Sequence, residues 1–206
     1  MNQQVSKFFL PILLLFFISG CTYNVAFNPS YLPTSEVIPA SKKLDGKGLI
    51  YMSPSDASYV FSDNPTTFTG GGTKLTLNLG DYTREIATKV YSNLFIDGVD
   101  FSTNESDGEG YILIISPKVT RFSFGYNQAQ NLGFAITPEV TISIQVIVMS
   151  PDGEQLFERT YSPPLYQGQT YMASFSPDEK INQAAHILLH DTFYGSFVDI
   201  RQALTE

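Results

Sequence analysis

The sequence predicts an α+β fold: a two-layer sandwich in which an antiparallel sheet of about four strands carries two amphipathic helices on one face. The first observation behind this prediction is the order of the predicted elements, which is β-α-β-β-β-α. The second is that each helix has one apolar face, which a layered architecture buries against a sheet. With 206 residues and an apolar fraction of 43%, the chain can form one packed core of ordinary size.

Both helices are predicted from apolar side chains that recur about every 3.6 residues. The first helix covers about residues 79–95, and its apolar face consists of Leu79, Tyr82, Ile86, Val90 and Leu94. The last helix begins at Ser176-Pro177-Asp178-Glu179, a capping box with proline at the first helical position. Its apolar stripe consists of Ile181, Ala184, Ala185, Leu188 and Thr192. We expect Gly195 to end or kink this helix.

The strands are predicted from alternating residues and from the turns between them. Apolar and polar residues alternate over residues 140–148, Ser150-Pro151-Asp152-Gly153 forms a turn, and residues 155–161 return, which together predict a hairpin. Residues 48–52 and 111–124 are further strands, and Pro117 predicts an edge or a bulge in the second of them. Residues 97–110 are predicted to form an acidic loop.

The composition excludes several classes of partner and site. The chain has 12 basic and 20 acidic residues, and its net charge of −8 opposes binding to polyanions such as nucleic acid or an anionic lipid surface. The single cysteine excludes an intramolecular disulfide framework and any metal site built from several thiolates.

The first twenty residues are predicted to be an export signal. Lys7 precedes an apolar run over residues 8–18, which is too short to span a hydrocarbon core about 30 Å thick. The run ends in Ile18-Ser19-Gly20-Cys21, which resembles the lipobox of bacterial lipoproteins. The resemblance implies that the Cys21 thiol receives a diacylglyceryl group, that the chain is cut before Cys21, and that the new amino group is acylated. An ordinary signal peptide with an incidental cysteine is the alternative.

The lipobox resemblance also divides the chain and implies a location. Residues 1–20 form the signal peptide, residues 21–45 a lipidated N-terminus and a proline-containing tether, and residues 46–206 a single α+β domain. Because two or more acyl chains hold a protein stably, a triacylated Cys21 anchors the chain without a transmembrane helix. Thr22, not aspartate, follows Cys21. In enterobacterial lipoproteins this difference favours the outer membrane, and we take its periplasmic side as the default.

Three patterns that resemble binding sites are interpreted as structural. His186 and His190 have the i, i+4 spacing of a metal pair, but the helical wheel places both opposite the apolar stripe, facing solvent. Residues 70–74, Gly-Gly-Gly-Thr-Lys, lack the strand and helix that flank a P-loop. A calcium loop would use Asp97, Asp100, Glu105, Asp107 and Glu109, which lack the ligand register of a hand-type loop. Without a nucleophile elbow either, the sequence predicts no metal, no cofactor and no enzyme activity.

The aromatic residues leave two interpretations open. Tyr23, Phe27 and Tyr31 lie either in the headgroup zone or against the domain. The aromatic residues predicted to lie in loops are Phe61, Phe68, Phe122, Phe124, Tyr126, Phe134, Tyr161, Tyr166, Tyr171 and Phe175. They either cap the sheet or form a protein interface, where aromatic side chains are enriched.

The order of elements, together with Asp152-Gly153 in the hairpin turn, resembles that of the YajG-type lipoproteins over roughly residues 47–203. The general plan is also similar to small α+β lipoproteins that assist envelope transporters or lipopolysaccharide assembly. Neither resemblance supplies a catalytic motif. The sequence therefore predicts an outer-membrane-anchored, non-catalytic module that binds another envelope protein. One alternative is a carrier or sensor that holds an apolar ligand between helices and sheet, and another is an enzyme whose carboxylates converge in space.

Overall fold

The computed structural model describes residues 21–34, 38–128, 135–172 and 177–204. The predicted signal peptide, Ser176 of the predicted capping box, Phe134 and Phe175 lie outside the described residues. The elements in chain order are β1 (Cys21–Val25), β2 (Gly48–Tyr51), α1 (Pro54–Ala57), β3 (Phe61–Asp63), β4 (Thr73–Leu77), α2 (Leu79–Tyr91), β5 (Val99–Ser102), β6 (Leu113–Asn127), β7 (Ala135–Met149), β8 (Gln155–Tyr161), β9 (Tyr166–Gln167), β10 (Tyr171–Met172) and α3 (Pro177–Ala203).

The main sheet has seven strands and is mixed in direction, so the predicted two-layer sandwich with about four antiparallel strands is wrong. Its order is β10-β7-β6-β2-β5, and β8 and β9 also pair with β7. Strand β2 runs parallel to β5 and β6, whereas β7 runs antiparallel to both β6 and β8. A second sheet has the order β1-β4-β3. The prediction omits β3, β5, β9 and β10, which have two to four residues each and are too short to show alternation.

One face of the main sheet is covered by the helices and the small sheet together. Helix α3 lies on β7, and helix α2 contacts both α3 and β6. The ring of Phe61 in β3 lies 4.7 Å from that of Phe122 in β6, measured between ring centroids. The opposite face of the sheet carries half-buried polar side chains such as Ser123, Thr141 and Ser143. The core therefore lies on one side of β6 and β7, as their alternating burial indicates.

The predicted hairpin is confirmed in β7 and β8. The two strands pair antiparallel from Ile144 opposite Tyr161 to Met149 opposite Gln155. In the turn, the Gly153 N–H donates to Ser150 O (3.0 Å), and Gly153 has a φ of 85° that favours glycine. The bulge of β6 lies between Val119 and Arg121 instead of at Pro117.

Both long helices differ from the prediction at their ends. Asn78 caps α2 by accepting a hydrogen bond from the Asp81 N–H, and the helix ends at Tyr91, not near residue 95. Helix α3 does not end at Gly195 but continues to Ala203. In the described part of the chain, no helix is both long and apolar enough to cross a bilayer. The predicted acidic loop contains the strand β5.

Residues 21–34 lie on the domain, where the sequence predicts a tether. Strand β1 pairs in parallel with β4, with Cys21 opposite Thr73. Tyr23 and Phe27 pack against the core, and the Tyr31 ring contacts that of His186. Of the two placements left open for these aromatic residues, the structure has the one against the domain.

Candidate functional site

Both histidines of α3 are buried, which corrects the prediction that they face solvent. His186 is fully buried and His190 is 5% exposed. The Nδ1–H of His186 donates to Asn182 O (2.8 Å), and its Nε2 accepts from the Asn28 backbone N–H (2.9 Å). Both ring nitrogens of His186 are therefore occupied. No group of three side chains able to hold a metal ion occurs among the residues that the structure describes.

The N-terminal segment is attached to the helices by buried polar groups. The Asn182 side-chain amide donates to Ala26 O (3.1 Å), and its oxygen accepts from the Tyr82 hydroxyl of α2. Burial lowers the pKa of His186, although its hydrogen bond to Asn182 O acts in the opposite direction. A protonated Nε2 could not accept from the Asn28 N–H, so the contact requires neutral His186. These polar side chains therefore have a structural role.

Of the aromatic residues assigned to loops that the structure describes, most are buried and cap the core. Phe122, Phe124 and Tyr126 lie in β6 and are all under 9% exposed, and Tyr171 is buried as well. Phe68 differs from the others because its side chain is fully exposed. The aromatic residues therefore do not form the broad interface that their number allowed.

The acidic segment and the glycine run each have a structural role. Asp100 in β5 lies 2.6 Å from the Lys47 ammonium and accepts from the Tyr111 hydroxyl (2.9 Å). The Lys47 contact, and then the Tyr111 contact, lower the pKa of Asp100. The glycine run leads into strand β4 at Thr73 instead of into a helix, so its backbone N–H groups do not form the cradle of a P-loop.

Strand β8 gives the main sheet an unpaired edge. It pairs with β7 along one side, and no strand in the described ranges pairs with its other side. Five of its seven residues are exposed. A free edge presents backbone N–H and C=O groups that can pair with another extended segment. Pro163 and Pro164 follow the strand, and they limit its length because proline has no N–H to donate.

A groove of about 440 Å³ lies between β8 and α3, and we call it the edge groove. Leu188 and Thr192 are the buried parts of its wall, and Asp191 is an exposed part. Gly195 leaves space in it, because a Cβ atom at this position would meet nothing within 4 Å. The groove is lined by Arg159, Thr160, Tyr161, Ser162, Pro163, Leu188, Asp191, Thr192 and Gly195.

The β8 side of the edge groove carries a hydrogen-bonded polar cluster. The Arg159 guanidinium lies 2.6 Å from Asp199 Oδ2, and the Tyr161 hydroxyl donates to the same oxygen (2.8 Å). Burial, and then the hydrogen bond to Asp199, raise the pKa of Tyr161, so its hydroxyl stays protonated at neutral pH. The positive charge of Arg159 and the negative charge of Asp199 cancel. The groove therefore combines an apolar floor, a neutral polar wall and a free strand edge.

A second cleft, of about 350 Å³, lies at the ends of β2 and β6. Met52, Ile147 and Met149 give it apolar surface, and Asp56 and Lys118 form an ion pair of 3.4 Å beside it. The hydroxyl of Ser116 is buried in its wall and has no hydrogen-bond partner. Both clefts are at the surface, whereas the space between α2, α3 and the sheet holds fully buried rings.

Comparison with known proteins gives a likeness in fold. The chain is similar to protein XCC0632 from Xanthomonas campestris, of the family DUF330, with a TM-score of 0.53 and 13% identity over 89% of this chain and 96% of that one. A proposed neuraminyllactose-binding hemagglutinin homologue from Helicobacter pylori has a TM-score of 0.39 and 8% identity, over 84% and 90% of the two chains. A minor lipoprotein from Acinetobacter baumannii has a TM-score of 0.37 and 9% identity, over 76% and 93%.

No protein-family model and no curated protein sequence matches the chain. The likeness to the Xanthomonas protein therefore concerns the fold, and the resemblance to YajG-type lipoproteins stays a prediction.

The edge groove was not predicted from the sequence, although both of the elements that form it were. Residues 155–161 do not show the clean alternation of β7, which is one sign of an exposed edge strand. The two prolines after β8 are another. The groove itself depends on α3 lying beside β8, and the sequence did not predict that these two elements are neighbours.

Proposed function

We propose that this protein is a non-catalytic lipoprotein, anchored in the outer membrane through Cys21, that binds an extended segment of another envelope protein in the edge groove. The observation that carries the proposal is the free edge of β8 directly beside the groove. In strand addition, main-chain hydrogen bonds supply affinity and a neighbouring pocket for side chains supplies specificity. The arrangement at β8 offers both parts.

The lining of the edge groove indicates the chemistry of the bound segment. Leu188 and the space at Gly195 accommodate an apolar side chain of moderate size. Asp191 has an exposed carboxylate at the rim, with 61% of its side-chain surface accessible, and favours a basic side chain nearby. The net charge of −8 disfavours an acidic segment. We therefore expect an extended apolar segment with a lysine or arginine next to it.

The membrane anchor is supported by the lipobox resemblance and by the position of Cys21. It is the sole cysteine of the chain, and it lies three residues after Ile18, the last residue of the apolar run. Replacing it by serine removes the thiol to which the lipid is attached, and with it the cut that the lipobox resemblance implies before residue 21. We expect the unmodified chain to be cut and to remain in the membrane pellet after a high-salt wash, and the Cys21→Ser chain to keep residues 1–20 and to carry no lipid. A Cys21→Ser chain that is still cut at the same bond and stays in the pellet would exclude the anchor.

Site-specific photo-crosslinking tests the edge groove in the lipidated full chain in cells. A photo-crosslinking amino acid at position 191, where Asp191 is exposed at the rim, lies at the groove, and the same amino acid at Val60, which is 50% exposed, serves as a surface control. Gly195→Phe fills the groove, and Gly195→Ala is the matched variant that leaves it open. We expect one discrete adduct from position 191, absent from position 60.

The two glycine variants make the crosslinking result specific. The adduct at position 191 should persist in Gly195→Ala and fall about tenfold or more in Gly195→Phe, as for the loss of an interface hot spot. Equal yields in the two variants, or the same adduct from Val60, would show that the partner does not use the edge groove.

The second cleft favours a second candidate function, a carrier or sensor of a small apolar ligand. The buried, unpaired Ser116 hydroxyl beside Met52 and Met149 fits a ligand with an apolar body and one hydrogen-bonding group. Calorimetric titration with a medium-chain fatty alcohol tests it. Ser116→Ala should weaken binding about threefold to tenfold, the value of one hydrogen bond. Absence of binding, or equal affinity in the variant, excludes this function for the alcohol.

A further inference from the structure

We infer that residues 64–72, here called the Phe68 loop, form a second membrane contact beside Cys21 and place the Phe68 ring in the headgroup region of the bilayer. The inference rests on the proposed lipid anchor. Phe68 has a relative exposure of 103%, whereas the other exposed large apolar side chains in the described part of the chain have 37–57%. Phe68 is therefore the most exposed large apolar side chain in the described part of the chain, and the residues around it decide what it contacts.

The Phe68 loop is held in one conformation by its own hydrogen bonds. The Gly71 N–H donates to Phe68 O (3.1 Å), and the Thr73 N–H donates to Gly70 O (2.8 Å). The Thr66 N–H donates to Phe124 O (2.8 Å), which attaches the loop to β6. Gly70 has a φ of 75°, and a Cβ there would lie 2.8 Å from the Tyr126 ring, so glycine is required. These hydrogen bonds and the positive φ of Gly70 therefore hold the loop in the conformation that exposes the Phe68 side chain.

The Phe68 loop lies next to the residue proposed to carry the lipid. The loop leads directly into β4, whose first residue, Thr73, is the register partner of Cys21 in β1. Paired strands are about 4.8 Å apart, so the backbone of Cys21 lies one strand spacing from the base of the loop. Because Cys21 is itself paired, this end of the molecule is held against the bilayer.

The chemistry of the Phe68 loop suits the headgroup region. Residues 64–72 contain no charged side chain, so their transfer from water carries no cost for burying an ion. The hydroxyls of Thr66, Thr67 and Thr69 already donate within the protein, to Phe124 O, Thr69 O and Gln128 Oε1, so moving the loop out of water leaves none of these donors without a partner. Met172, which is 57% exposed, pairs with Ala135 at the start of β7 and adds a second apolar side chain at this end. A lipid surface is therefore favoured over a protein pocket as the occupant.

A single tryptophan can test this contact, because the chain has none of its own. Phe68→Trp is introduced into the lipidated full chain, which is then incorporated into vesicles of phosphatidylethanolamine and phosphatidylglycerol. Val198→Trp is the matched control, since Val198 is apolar, 47% exposed and near the far end of α3. Asp178 lies in the first turn of α3, so at about 1.5 Å per residue position 198 lies about 30 Å farther along the helix. Flotation of the vesicles reports the anchor, and tryptophan emission reports the Phe68 loop.

We expect both variants to float and only Trp emission from position 68 to shift to the blue. An interfacial side chain is buried about 5–10 Å into the boundary between headgroups and acyl chains. Lipids brominated in the upper part of the acyl chain should therefore quench the emission of the tryptophan at position 68. A floating protein whose emission from position 68 stays that of a solvent-exposed tryptophan overturns this inference and leaves the anchor intact. A protein that does not float overturns both. A concentration-dependent blue shift of the unlipidated Cys21→Ser, Phe68→Trp chain without vesicles assigns Phe68 to a contact between copies and also overturns it.

Discussion

At the scale of single residues, His186 can hold the N-terminal segment only when its ring is neutral. Its Nε2 accepts from the Asn28 N–H, and burial lowers its pKa below the ordinary value of 6.5. As the pH falls below 6.5, the unfolded chain therefore binds a proton that the folded chain does not bind. The stability contributed by neutral His186 is complete above that pH and decreases toward the lowered folded-state pKa.

We therefore expect the melting temperature to fall between pH 7.5 and pH 5.0, and to fall less in His186→Gln. The glutamine oxygen can accept from the Asn28 N–H at either pH. Differential scanning calorimetry at the two pH values measures this difference, and the protection factor of the Asn28 amide, in which the intrinsic pH dependence of exchange is divided out, should fall at pH 5.0 in the unmodified protein alone. Identical pH dependence in the two proteins would contradict this role of His186.

The buried pair of Tyr91 and Ser196 gives a second prediction at this scale. The two hydroxyl oxygens lie 2.6 Å apart, and Ser196 also donates to Phe193 O. Ser196→Ala leaves the Tyr91 hydroxyl buried without a partner and should cost about 1–3 kcal/mol, whereas Tyr91→Phe should cost about 0.5–1.5 kcal/mol. The double variant should lose less than the sum. Denaturant unfolding of the four proteins measures the coupling, and strictly additive losses would exclude it.

The histidines show where prediction from single residues failed. The wheel identified the buried stripe of α3 and assigned the opposite face to solvent. In the structure, α3 contacts α2, β1, β7, β8 and the 3-10 helix Pro29–Tyr31, so most of its circumference is covered. The rule of one apolar face holds for a helix with one neighbour. The N-terminal segment covers His186, whereas the sequence predicted a tether there and left open whether its aromatic residues lie in the headgroup zone or against the domain.

At the scale of elements, the sequence predicted those with a long periodic pattern. Helices α2 and α3 and the β7–β8 hairpin were found in this way, and the turn around Gly153 was placed correctly. The parallel pairing of β2 with β5 and β6 was not predicted, because a strand of four residues contains no information about its partner. For the same reason β1 was taken as part of a tether. The edge groove also required knowledge of which elements are neighbours.

Two glycines of the helices are predicted to respond in opposite ways to alanine. A Cβ at Gly80 would lie 2.1 Å from Ala57 O, so Gly80→Ala forces α1 away from α2. We expect a loss of about 1–3 kcal/mol from overpacking. A Cβ at Gly195 meets nothing within 4 Å, and Gly195→Ala should gain about 0.5–1 kcal/mol from helix propensity. Urea unfolding measures both values, and a stabilising Gly80→Ala would contradict the close packing of α1 on α2.

At the scale of the whole molecule, the proposed anchor and the edge groove lie near different positions along the length of β7. Ala135, at the start of β7, pairs with β10 near the end that carries Cys21, whereas Ile144 pairs with Tyr161 in the groove. Nine residues of strand extend about 30 Å. The hairpin turn at Asp152 lies farther still. If the anchor end rests on the bilayer, the groove is therefore in water and open to a partner that is not in the same membrane.

Cysteine labelling in the lipidated protein tests this arrangement, because the thiol of Cys21 is then consumed and an introduced cysteine is the sole free thiol. We expect Asp152→Cys and Thr160→Cys to react with a water-soluble maleimide at the same rate in vesicles as in detergent. Thr69→Cys, in the Phe68 loop, should react several-fold more slowly in vesicles than the other two, because lipid covers it. Protection of Thr160→Cys in vesicles would mean that the edge groove faces the bilayer, and a segment from another envelope protein could not then reach it.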